Sequence, residues 1–400
     1  MSAPPHNRPG APDGPSTTFE SGVSDATGTT VAEPQTKVEL DGTVGMSMWA
    51  IVLAGGIGSR FWPLSSPERP KQLLPLVNDR PLIADTIARL SPLIPPERVL
   101  VLTSRDISAA IHAAIPEVPA ANVLAEPRPL GTAASLAWGA SEIARRAGPK
   151  TVFVCLHADL AVGYPEALRD ALRRAAGIAS HERVLVALGA TPSRPDTAFG
   201  YMEPGDLLDY GTSLAQGGAA RVQAFVEKPD HERAESLLAG GALWNTGIYV
   251  WEAGLVLEMI EEHVPEVGPA LDSLRRNDPD RFAARVRPAS IERGLLERTT
   301  RLVALATDCA WDDVGTWACL RRSRELDDDG NGAMGPAYFV DATSNIVHAE
   351  NGPVVLYGVH KLLVVSLDGI TFVTTLDRAR DLKPLLDALP GSMRLKPTRR

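Results

Sequence analysis

Short apolar runs, separated by segments of helical periodicity, make up most of the chain between residues 49 and 308. The first run, residues 50–54, is closed by glycines, and a continuous apolar run of this length is typical of a strand that is buried on both faces. The same pattern predicts further strands at 99–103, 123–124, 151–160, 183–192 and 301–308. Helical spacing of apolar residues predicts helices at 81–93, near 252–262 and at 281–298, and an alanine-rich helix that opens at Gly131 and Thr132.

Strands that alternate with helices in this way predict an α/β fold, with a Rossmann-like, mainly parallel sheet and helices on both faces. From about residue 193 the pattern changes to strands and loops with less helix between them. Residues from about 337 contain short β runs with Asn-Gly and Asp-Gly turns, followed by a last helix near 377–389. We therefore predict a main domain at 46–330 and a small β-rich C-terminal domain at 337–390.

Residues 1–45 are rich in Pro, Gly, Ser, Thr and Asp and contain scarcely any aliphatic residue. Such a segment cannot bury enough apolar surface to offset its conformational entropy, so we expect a disordered tail.

The composition narrows the classes of partner. The net charge is -9, which argues against a nucleic-acid surface, because phosphate backbones favour clustered Lys and Arg.

No apolar run is long enough to span a bilayer, and the N-terminus lacks the apolar segment of a signal peptide. Three cysteines without C-x-x-C spacing indicate neither zinc nor a disulfide framework, which fits a reducing cytoplasm. The oligomeric state stays open, with a homodimer as one candidate.

The first strand leads into a loop that combines glycines with cations. Its glycines are Gly55, Gly56 and Gly58. Three residues without side chains in four positions let the backbone turn tightly, approach a large ligand and direct amide hydrogens at anionic oxygens. Arg60 follows directly, and Lys71 comes after a stiff segment punctuated by three prolines. An ordinary strand-to-helix turn is the alternative for the glycines alone, but Phe61 stands where a dinucleotide fingerprint would need a glycine.

The whole phrase AGG-x-G-S-R-x-W-P-L-S…P-K-Q-L resembles the signature of the sugar-phosphate nucleotidylyltransferases, in particular of the mannose-1-phosphate guanylyltransferase branch. The resemblance implies a nucleotidyltransferase fold for residues 46–330. It also implies transfer of a guanylyl group from GTP to α-D-mannose 1-phosphate, giving GDP-mannose and pyrophosphate. For the glycine loop and the strand ends near it, it implies nucleotide binding by Leu53, Gly55, Gly56, Gly58, Glu126 and Gly131. It implies catalytic roles for Arg60, Lys71 and Lys228.

Two carboxylates at strand ends suit Mg²⁺, which takes few protein oxygens and keeps its waters and phosphates. Asp159 closes the strand VFVCLHAD, and Asp313 lies in AWDDVGTW after the strand at 301–308. The alternative for Asp159 taken alone is a helix N-cap ahead of Pro165 or a solvated loop acid. In the family these two positions are the metal ligands, whereas Asp312 stands where the family usually has Ser.

The sugar phosphate is assigned to four residues of the second half of the main domain. The phrase FVEKP resembles the family motif whose lysine, here Lys228, holds the sugar phosphate. Glu227 and Asn245 would supply acceptors and a donor to sugar hydroxyls, and Gly200 would let the backbone approach the ring. Without the resemblance, Lys228 would be read as a surface charge, Glu227 and Asn245 as turn residues and Gly200 as a loop glycine.

Glu126 bears on the choice of base. A guanine edge presents two donors, N1–H and the 2-amino group, and one carboxylate can accept both, whereas uracil and thymine would suit an amide better. Relatives that transfer thymidylyl or uridylyl groups carry Gln at the corresponding place, so Glu126 favours GTP. The alternative is an acid stabilised by a helix N-terminus. His157, alone on a strand, is expected to be structural.

The sequence therefore predicts a Mg²⁺-dependent enzyme that binds GTP and a sugar 1-phosphate. Another nucleoside triphosphate, or a heptose or other hexose 1-phosphate, remains an alternative within the class. A catalytically silent regulatory subunit that binds nucleotide sugar is the alternative outside it. That reading is disfavoured because Arg60, Lys71 and both metal carboxylates are present.

Overall fold

The computed structural model of the chain describes residues 47–56, 61–67, 69–208, 214 and 217–394. The predicted tail at 1–45, Gly58 and Arg60 lie outside the described residues. In chain order the strands are β1 (Trp49–Leu53), β2 (Val99–Ser104), β3 (Val123–Glu126), β4 (Val152–His157), β5 (Leu160–Val162), β6 (Leu185–Ala190), β7 (Gly200–Leu207), β8 (Ala219–Glu227), β9 (Leu243–Glu252), β10 (Leu302–Ala306), β11 (Trp311–Asp313), β12 (Gly332–Met334), β13 (Ala337–Val340), β14 (Ile346–Ala349), β15 (Val354–Tyr357), β16 (Leu362–Leu367) and β17 (Ile370–Thr375).

The α-helices are α1 (Leu82–Ala88), α2 (Ser108–Ala114), α3 (Thr132–Ala147), α4 (Pro165–Glu182), α5 (His231–Ala239), α6 (Ala253–His263), α7 (Leu271–Arg275), α8 (Pro279–Arg285), α9 (Leu320–Ser323), α10 (Lys383–Ala388) and α11 (Gly391–Arg394). A π-helix spans Glu292–Leu296. Within the part of the chain that the structure describes, no helix combines the length and hydropathy that crossing a membrane would require.

A central sheet of nine strands has the order β3-β2-β1-β4-β9-β6-β10-β8-β7. Strands β8 and β9 run opposite to the other seven, so the sheet is mixed but mainly parallel. Alternate residues of β1 explain its all-apolar sequence: Ile51 packs into one core with α3 and α6, while Ala50 and Val52 pack into a second core with α1 and α4. The predicted fold class is confirmed.

The helix predicted at 281–298 is wrong as a single element. Helix α8 ends at Arg285, Val286 is extended (φ -73°, ψ 151°), and the chain returns to helical geometry only in the π-helix. Pro288 accounts for the break, because proline lacks a backbone donor and excludes helical geometry from the residue before it. Helical periodicity of the apolar side chains continues across the break and conceals it.

The strand predicted at 151–160 is also shorter than expected. Strand β4 ends at His157, residues 158 and 159 form a turn, and Leu160 begins the short strand β5, which pairs with β11. The turn places Asp159 beyond the end of β4 instead of inside it.

The C-terminal strands coil so that alternate strands fall into the same small sheet. Strands β12, β14 and β16 form parallel pairs, and β13 pairs in parallel with β15. The predicted Asp-Gly turn joins the antiparallel strands β16 and β17, whereas the Asn-Gly turn at 351–352 links strands of different sheets. The domain boundaries at 330 and 337 stay a prediction.

The C-terminal sheets hold the segment that carries Lys71. The Trp317 indole donates a hydrogen bond to the Trp62 carbonyl (3.1 Å), and the Trp62 ring packs edge-to-face on Phe372. The buried Arg324 donates to the carbonyl oxygens of Leu76 (2.7 Å) and Val347 (3.1 Å). Burial lowers the pKa of Arg324 to about 10.

An ion pair completes this attachment. Arg324 also contacts Nδ1 of the buried His348 (3.3 Å), whose Nε2 lies 3.4 Å from Glu350, and Glu350 pairs with Arg69 (3.2 Å). The hydrogen bond from His348 and the charge of Arg69 lower the pKa of Glu350 to about 2. Both ends of segment 69–76 are thus tied to the C-terminal strands.

Substitution Glu350→Gln tests this attachment through its pH dependence. A carboxylate whose pKa is depressed in the folded state stabilises that state fully above its unfolded pKa, and the contribution is lost as the pH falls through the folded value. We expect Glu350→Gln to lower the free energy of unfolding at neutral pH, and the difference from the parent to shrink between pH 4.5 and about 2. Urea unfolding from about pH 7 to about pH 3 measures it, with the exposed Glu258→Gln as control. A pH-independent difference would contradict the assignment.

Candidate active site

A cavity of about 320 Å³ opens at the carboxyl ends of β1, β3 and β4. Strands that run parallel end at the same edge of a sheet, and ligands of such folds bind beyond that edge. The predicted site residues that line this cavity are Leu53, Gly55, Gly56, Lys71, Glu126, Gly131 and Asp159. Seven predicted residues, which are far apart in the sequence, are therefore brought together.

The start of the glycine loop is fixed by hydrogen bonds to one carbonyl oxygen. The Ala54 carbonyl accepts from Gln72 Nε2 (2.8 Å) and from Thr103 Oγ1 (3.0 Å). Beyond it, a β-carbon placed on Gly55 or Gly56 would meet no atom of the described residues within 4 Å. Packing among the described residues therefore does not require glycine at these two positions, and both residues line the cavity.

Lys71 and Asp159 form an ion pair at the mouth of β4. The Lys71 ammonium contacts an Asp159 carboxylate oxygen and donates to the Val314 carbonyl (3.3 Å). Burial alone would raise the pKa of Asp159, but the charge of Lys71 and its hydrogen bond, together with smaller contributions from His157 and the Asp159 backbone, outweigh burial and hold the pKa below its usual value. Asp159 is therefore ionised in the folded protein at neutral pH.

Asp313 lies beside this pair because β11 and β5 are antiparallel neighbours, with Asp313 opposite Leu160. Burial and the negative charge of Asp159 raise the pKa of Asp313. Gly315 is required nearby, since a β-carbon there would lie 2.9 Å from an Asp313 carboxylate oxygen. Asp312 instead holds Arg322 through two hydrogen bonds (2.6 and 2.9 Å).

The carboxylate pair fits a hard divalent cation. Within the described residues no group of three or more His, Cys, Asp or Glu side chains is arranged to hold a metal ion. Mg²⁺ characteristically binds through one or two carboxylates and completes its shell with water and phosphate oxygens. The mutual repulsion that raises the pKa of Asp313 is the kind of cost that a cation between two carboxylates relieves.

Glu126 lies at the end of β3 and is buried. Its carboxylate accepts a short hydrogen bond from the Ser135 hydroxyl, in the first turn of α3. Burial raises the pKa of Glu126, although the hydrogen bonds from Ser135 and from the Leu130 backbone oppose the shift. A buried acceptor held in one orientation at the cavity wall is suited to bind adjacent N–H donors.

Gly131 has a structural reason to be glycine in addition to lining the cavity. Its φ is +83°, and a β-carbon would lie 2.6 Å from the Ala289 carbonyl oxygen. The backbone of segment 286–290 thus packs directly against the start of α3. Local packing therefore requires glycine at this position, and its role in nucleotide binding stays a prediction.

The four residues predicted for the sugar phosphate form a second cluster, on β7, β8 and β9. Gly200 pairs with Glu227, and a β-carbon on Gly200 would lie 2.7 Å from a Glu227 carboxylate oxygen. Lys228 has a positive φ of 52° and pairs with Glu227 (2.6 Å). Burial raises the pKa of Glu227 despite Lys228. Asn245 is buried and donates to the Tyr249 hydroxyl (2.9 Å).

The two clusters are joined along β9 and β11. A β-carbon on Gly247, two residues after Asn245, would lie 3.3 Å from the His157 ring, which lines the cavity. The Phe199 ring packs edge-to-face on Trp311 (5.3 Å between centroids), two residues before Asp313. The sugar cluster therefore continues into the carboxylate pair.

Several residues of this region escaped the sequence reasoning. His157, predicted to be structural, lines the cavity beside Asp159. Ser135 orients Glu126, and Glu292 accepts a hydrogen bond from the Tyr249 hydroxyl (3.2 Å). Ser135 could have been predicted from its position one turn into the helix that follows a strand end. No feature of the sequence pointed to Glu292, because it lies in a segment predicted to be continuous helix.

Comparisons with known proteins identify similar sequences and a similar solved structure. A sequence model of the nucleotidyl transferase family matches residues 49–329. The chain is 30% identical over 350 residues to the mannose-1-phosphate guanylyltransferase of Sinorhizobium fredii, which covers 84% of this chain and 67% of that protein. It is 31% identical over 360 residues to the mannose-1-phosphate guanylyltransferase ManC of Salmonella typhimurium, which covers 87% of this chain and 74% of that protein.

A solved structure is similar over almost its whole length. It is the crystal structure of a Thermus thermophilus protein described as a mannose-1-phosphate geranyltransferase, with 32% sequence identity and a TM-score of 0.76. The match covers 86% of this chain and 99% of that one.

Two glycine substitutions separate ligand approach from packing. Gly55→Ala should change the free energy of unfolding by less than about 0.5 kcal/mol, because its β-carbon would meet no atom of the part of the chain that the structure describes. It should nevertheless weaken nucleoside triphosphate binding, since the methyl group enters the space beside the loop. Gly131→Ala should destabilise the protein by more than about 1 kcal/mol, through the contact with Ala289. Thermal unfolding of both variants measures the change in stability, and nucleotide titration measures the change in binding. Unchanged binding by Gly55→Ala would refute close approach of the ligand to the loop.

Proposed function

The chain belongs to the nucleotidyl transferase family, and we propose that it transfers a guanylyl group from GTP to α-D-mannose 1-phosphate, giving GDP-mannose and pyrophosphate. The observation that carries the proposal is the arrangement at the carboxyl edge of the sheet. There Lys71, Asp159 and Glu126 share one cavity with the glycine loop, and Asp313 adjoins it.

The reaction needs positioning more than proton transfer. The attacking oxygen of a sugar 1-phosphate is already an anion, so no general base is required. The difficulty is to bring two polyanions together and to stabilise the charge that builds on the α-phosphate and on the leaving pyrophosphate. Lys71 is placed to contact that charge because it lies in the cavity lined by the open glycines, and Arg60 follows the same loop.

Asp159 and Asp313 are the residues that would hold Mg²⁺. When bound there, the ion would neutralise phosphate charge during the transfer. The chain contributes two carboxylates of unequal pKa, one kept ionised by Lys71 and one raised by its neighbour. Lys71 helps to keep Asp159 ionised, which is the state that would hold a cation.

Glu126 supports guanine as the base. The Ser135 hydroxyl occupies one site on the carboxylate and fixes its plane, and the remaining lone pairs can accept from N1–H and the 2-amino group of guanine. A uracil or thymine edge would place a carbonyl oxygen against the same carboxylate, and such a contact between two acceptors is unfavourable. Because the Glu126 carboxylate offers no hydrogen-bond donor, it favours the guanine edge, which carries two donors, over an edge with a carbonyl oxygen.

The sugar 1-phosphate is proposed to bind along Gly200, Glu227, Lys228 and Asn245. Lys228 is 58% exposed at the side chain and is therefore accessible to an incoming phosphate. Glu227 supplies acceptors to hydroxyls, and the absence of a side chain at Gly200 keeps its carboxylate free of steric contact. Asn245 keeps one amide hydrogen and one lone pair beyond those that it uses within the protein.

We place the reaction in the cytoplasm, where GTP is abundant and thiols stay reduced. Cys155, Cys309 and Cys319 form no disulfide within the described residues, and Cys155 and Cys309 are buried. A homodimer stays a prediction.

A substrate matrix tests the reaction. Pyrophosphate release should be measured for four nucleoside triphosphates against several sugar 1-phosphates, with and without Mg²⁺. We expect the combination of GTP and mannose 1-phosphate with Mg²⁺ to be fastest and the metal-free reactions to be near background. A higher rate with another sugar or nucleotide would replace the assigned substrate, and no turnover in any combination would favour a silent regulatory subunit.

The carboxylate assignment is tested by single substitutions of adjacent acids. Asp159→Asn and Asp313→Asn should each lower kcat about 100-fold or more, because each removes a charge that the cation needs. Asp312→Asn is the matched control: it removes the neighbouring carboxylate, which holds Arg322 instead. We expect it to retain most of the activity. Equal losses in Asp312→Asn and Asp313→Asn would contradict the assignment.

A further inference from the structure

Segment 289–297 separates the nucleotide cavity from the sugar cluster. On one side, the Ala133 amide donates to the Ala289 carbonyl (3.1 Å), and the Ile291 amide donates to the Thr132 hydroxyl (2.9 Å), at the cavity wall. On the other side, the Glu227 amide donates to Glu297 (3.0 Å). The π-helix at Glu292–Leu296 lies between these contacts. Single π turns of this kind are rare and occur frequently at functional sites.

Glu292, the first residue of the π-helix, begins a chain of hydrogen bonds that ends beside His157. The Tyr249 hydroxyl donates to Glu292 Oε1 (3.2 Å) and accepts from Asn245 Nδ2 (2.9 Å). The other end of the same amide, Asn245 Oδ1, accepts from the Gly247 backbone N–H (3.1 Å). Gly247 has a φ of +71° and lies against the His157 ring.

The two ends of this chain fix the direction of every hydrogen bond in it. An ionised carboxylate can only accept, so the Tyr249 hydroxyl must donate to Glu292. The hydroxyl has one proton, so its second hydrogen bond is accepted from the NH₂ group of Asn245. At the other end, the Gly247 backbone N–H can only donate, so the Asn245 oxygen faces it. Glu292, acting through Tyr249, and the Gly247 N–H therefore favour the same one of the two orientations of the Asn245 amide.

Burial makes this selection energetically significant. Tyr249 is 1% exposed and Asn245 is 9% exposed, so water cannot replace a lost partner freely. Burial, followed by the charge of Glu292, raises the pKa of Tyr249 well above its usual value, which keeps the hydroxyl protonated as a donor. The charge of Glu292 also acts on Glu227, whose pKa burial already raises.

We propose that Glu292 is a positioning residue of the sugar site. It acts through Tyr249 to fix the orientation of Asn245 and the backbone of Gly247, so that the free amide hydrogen and lone pair of Asn245 face a sugar hydroxyl in one defined arrangement. Loss of Glu292 is expected to weaken binding of the sugar 1-phosphate and to leave nucleotide binding unchanged. The nucleotide base and phosphates are assigned to the cavity on the other side of segment 289–297. The proposal rests on the proposed function for its substrate.

Kinetics of Glu292→Ala, Tyr249→Phe, the double variant and Glu292→Gln test the proposal. Glu292→Ala and Tyr249→Phe each break the same series of hydrogen bonds, so each should raise the KM for mannose 1-phosphate about tenfold and leave the KM for GTP unchanged. The double variant should be no worse than either single one, since residues that act as one unit are not additive. Glu292→Gln, which can still accept, should recover part of the loss. The exposed Glu258→Ala is the control.

Hydrogen exchange of the Gly247 amide provides a test that needs no substrate. We expect Glu292→Ala and Tyr249→Phe to speed exchange of this amide by a similar factor, while amides of β1 are unaffected. Tyr249→Phe removes one oxygen atom only, so it keeps the test decisive if Glu292→Ala folds poorly. Unchanged exchange in Tyr249→Phe, or additive KM effects in the double variant, would overturn the proposal. An inactive parent protein with faster exchange in the variants would instead refute the substrate and uphold the hydrogen-bond chain.

Discussion

The ion pair between Lys71 and Asp159 is the interaction on which the rest of the site depends. It joins the segment after the glycine loop to the turn after β4, two parts of the chain that are far apart in sequence. It also sets the charge state of the carboxylate pair, because Lys71 keeps Asp159 ionised while the pKa of Asp313 rises beside it. The pairing of this lysine with a carboxylate avoids an unpaired charge in a partly buried site.

The C-terminal strands contribute to this interaction at a distance. Segment 69–76 has no long helix or strand of its own, and Arg324 and Glu350 tie its two ends to the C-terminal strands. Trp317 holds the chain before this segment, through its hydrogen bond to the Trp62 carbonyl and its edge-to-face contact with Phe61. These contacts support the part of the chain that carries Lys71.

The sequence was most informative where one local pattern decides the structure. The apolar run at 50–54 and the glycines after it predicted a strand and a ligand-binding loop, and the family inferred from that phrase is confirmed. Residues at strand ends were predicted to converge, and the structure brings Lys71, Glu126, Gly131 and Asp159 to one cavity. The assigned roles of these residues remain predictions.

The sequence was least informative where the structure depends on tertiary contacts. Apolar periodicity could not reveal the break after Arg285, because the side chains on both sides of it face the same core. Asn-Gly and Asp-Gly turns look alike in sequence, yet one closes a hairpin and the other links two sheets. The chain from Glu292 to Gly247 joins residues that are distant in the sequence and has no local signature.

Anomalous diffraction from Mn²⁺ in crystals of the protein with an uncleavable GTP analogue tests the central claim most directly. Mn²⁺ replaces Mg²⁺ at carboxylate and phosphate oxygens, and its anomalous signal locates the ion independently of the phases from the protein. The account predicts a peak in contact with the carboxylates of Asp159 and Asp313 and with phosphate oxygens of the analogue, with the guanine edge at Glu126. A peak elsewhere, or a polyphosphate bound away from Lys71, would contradict it.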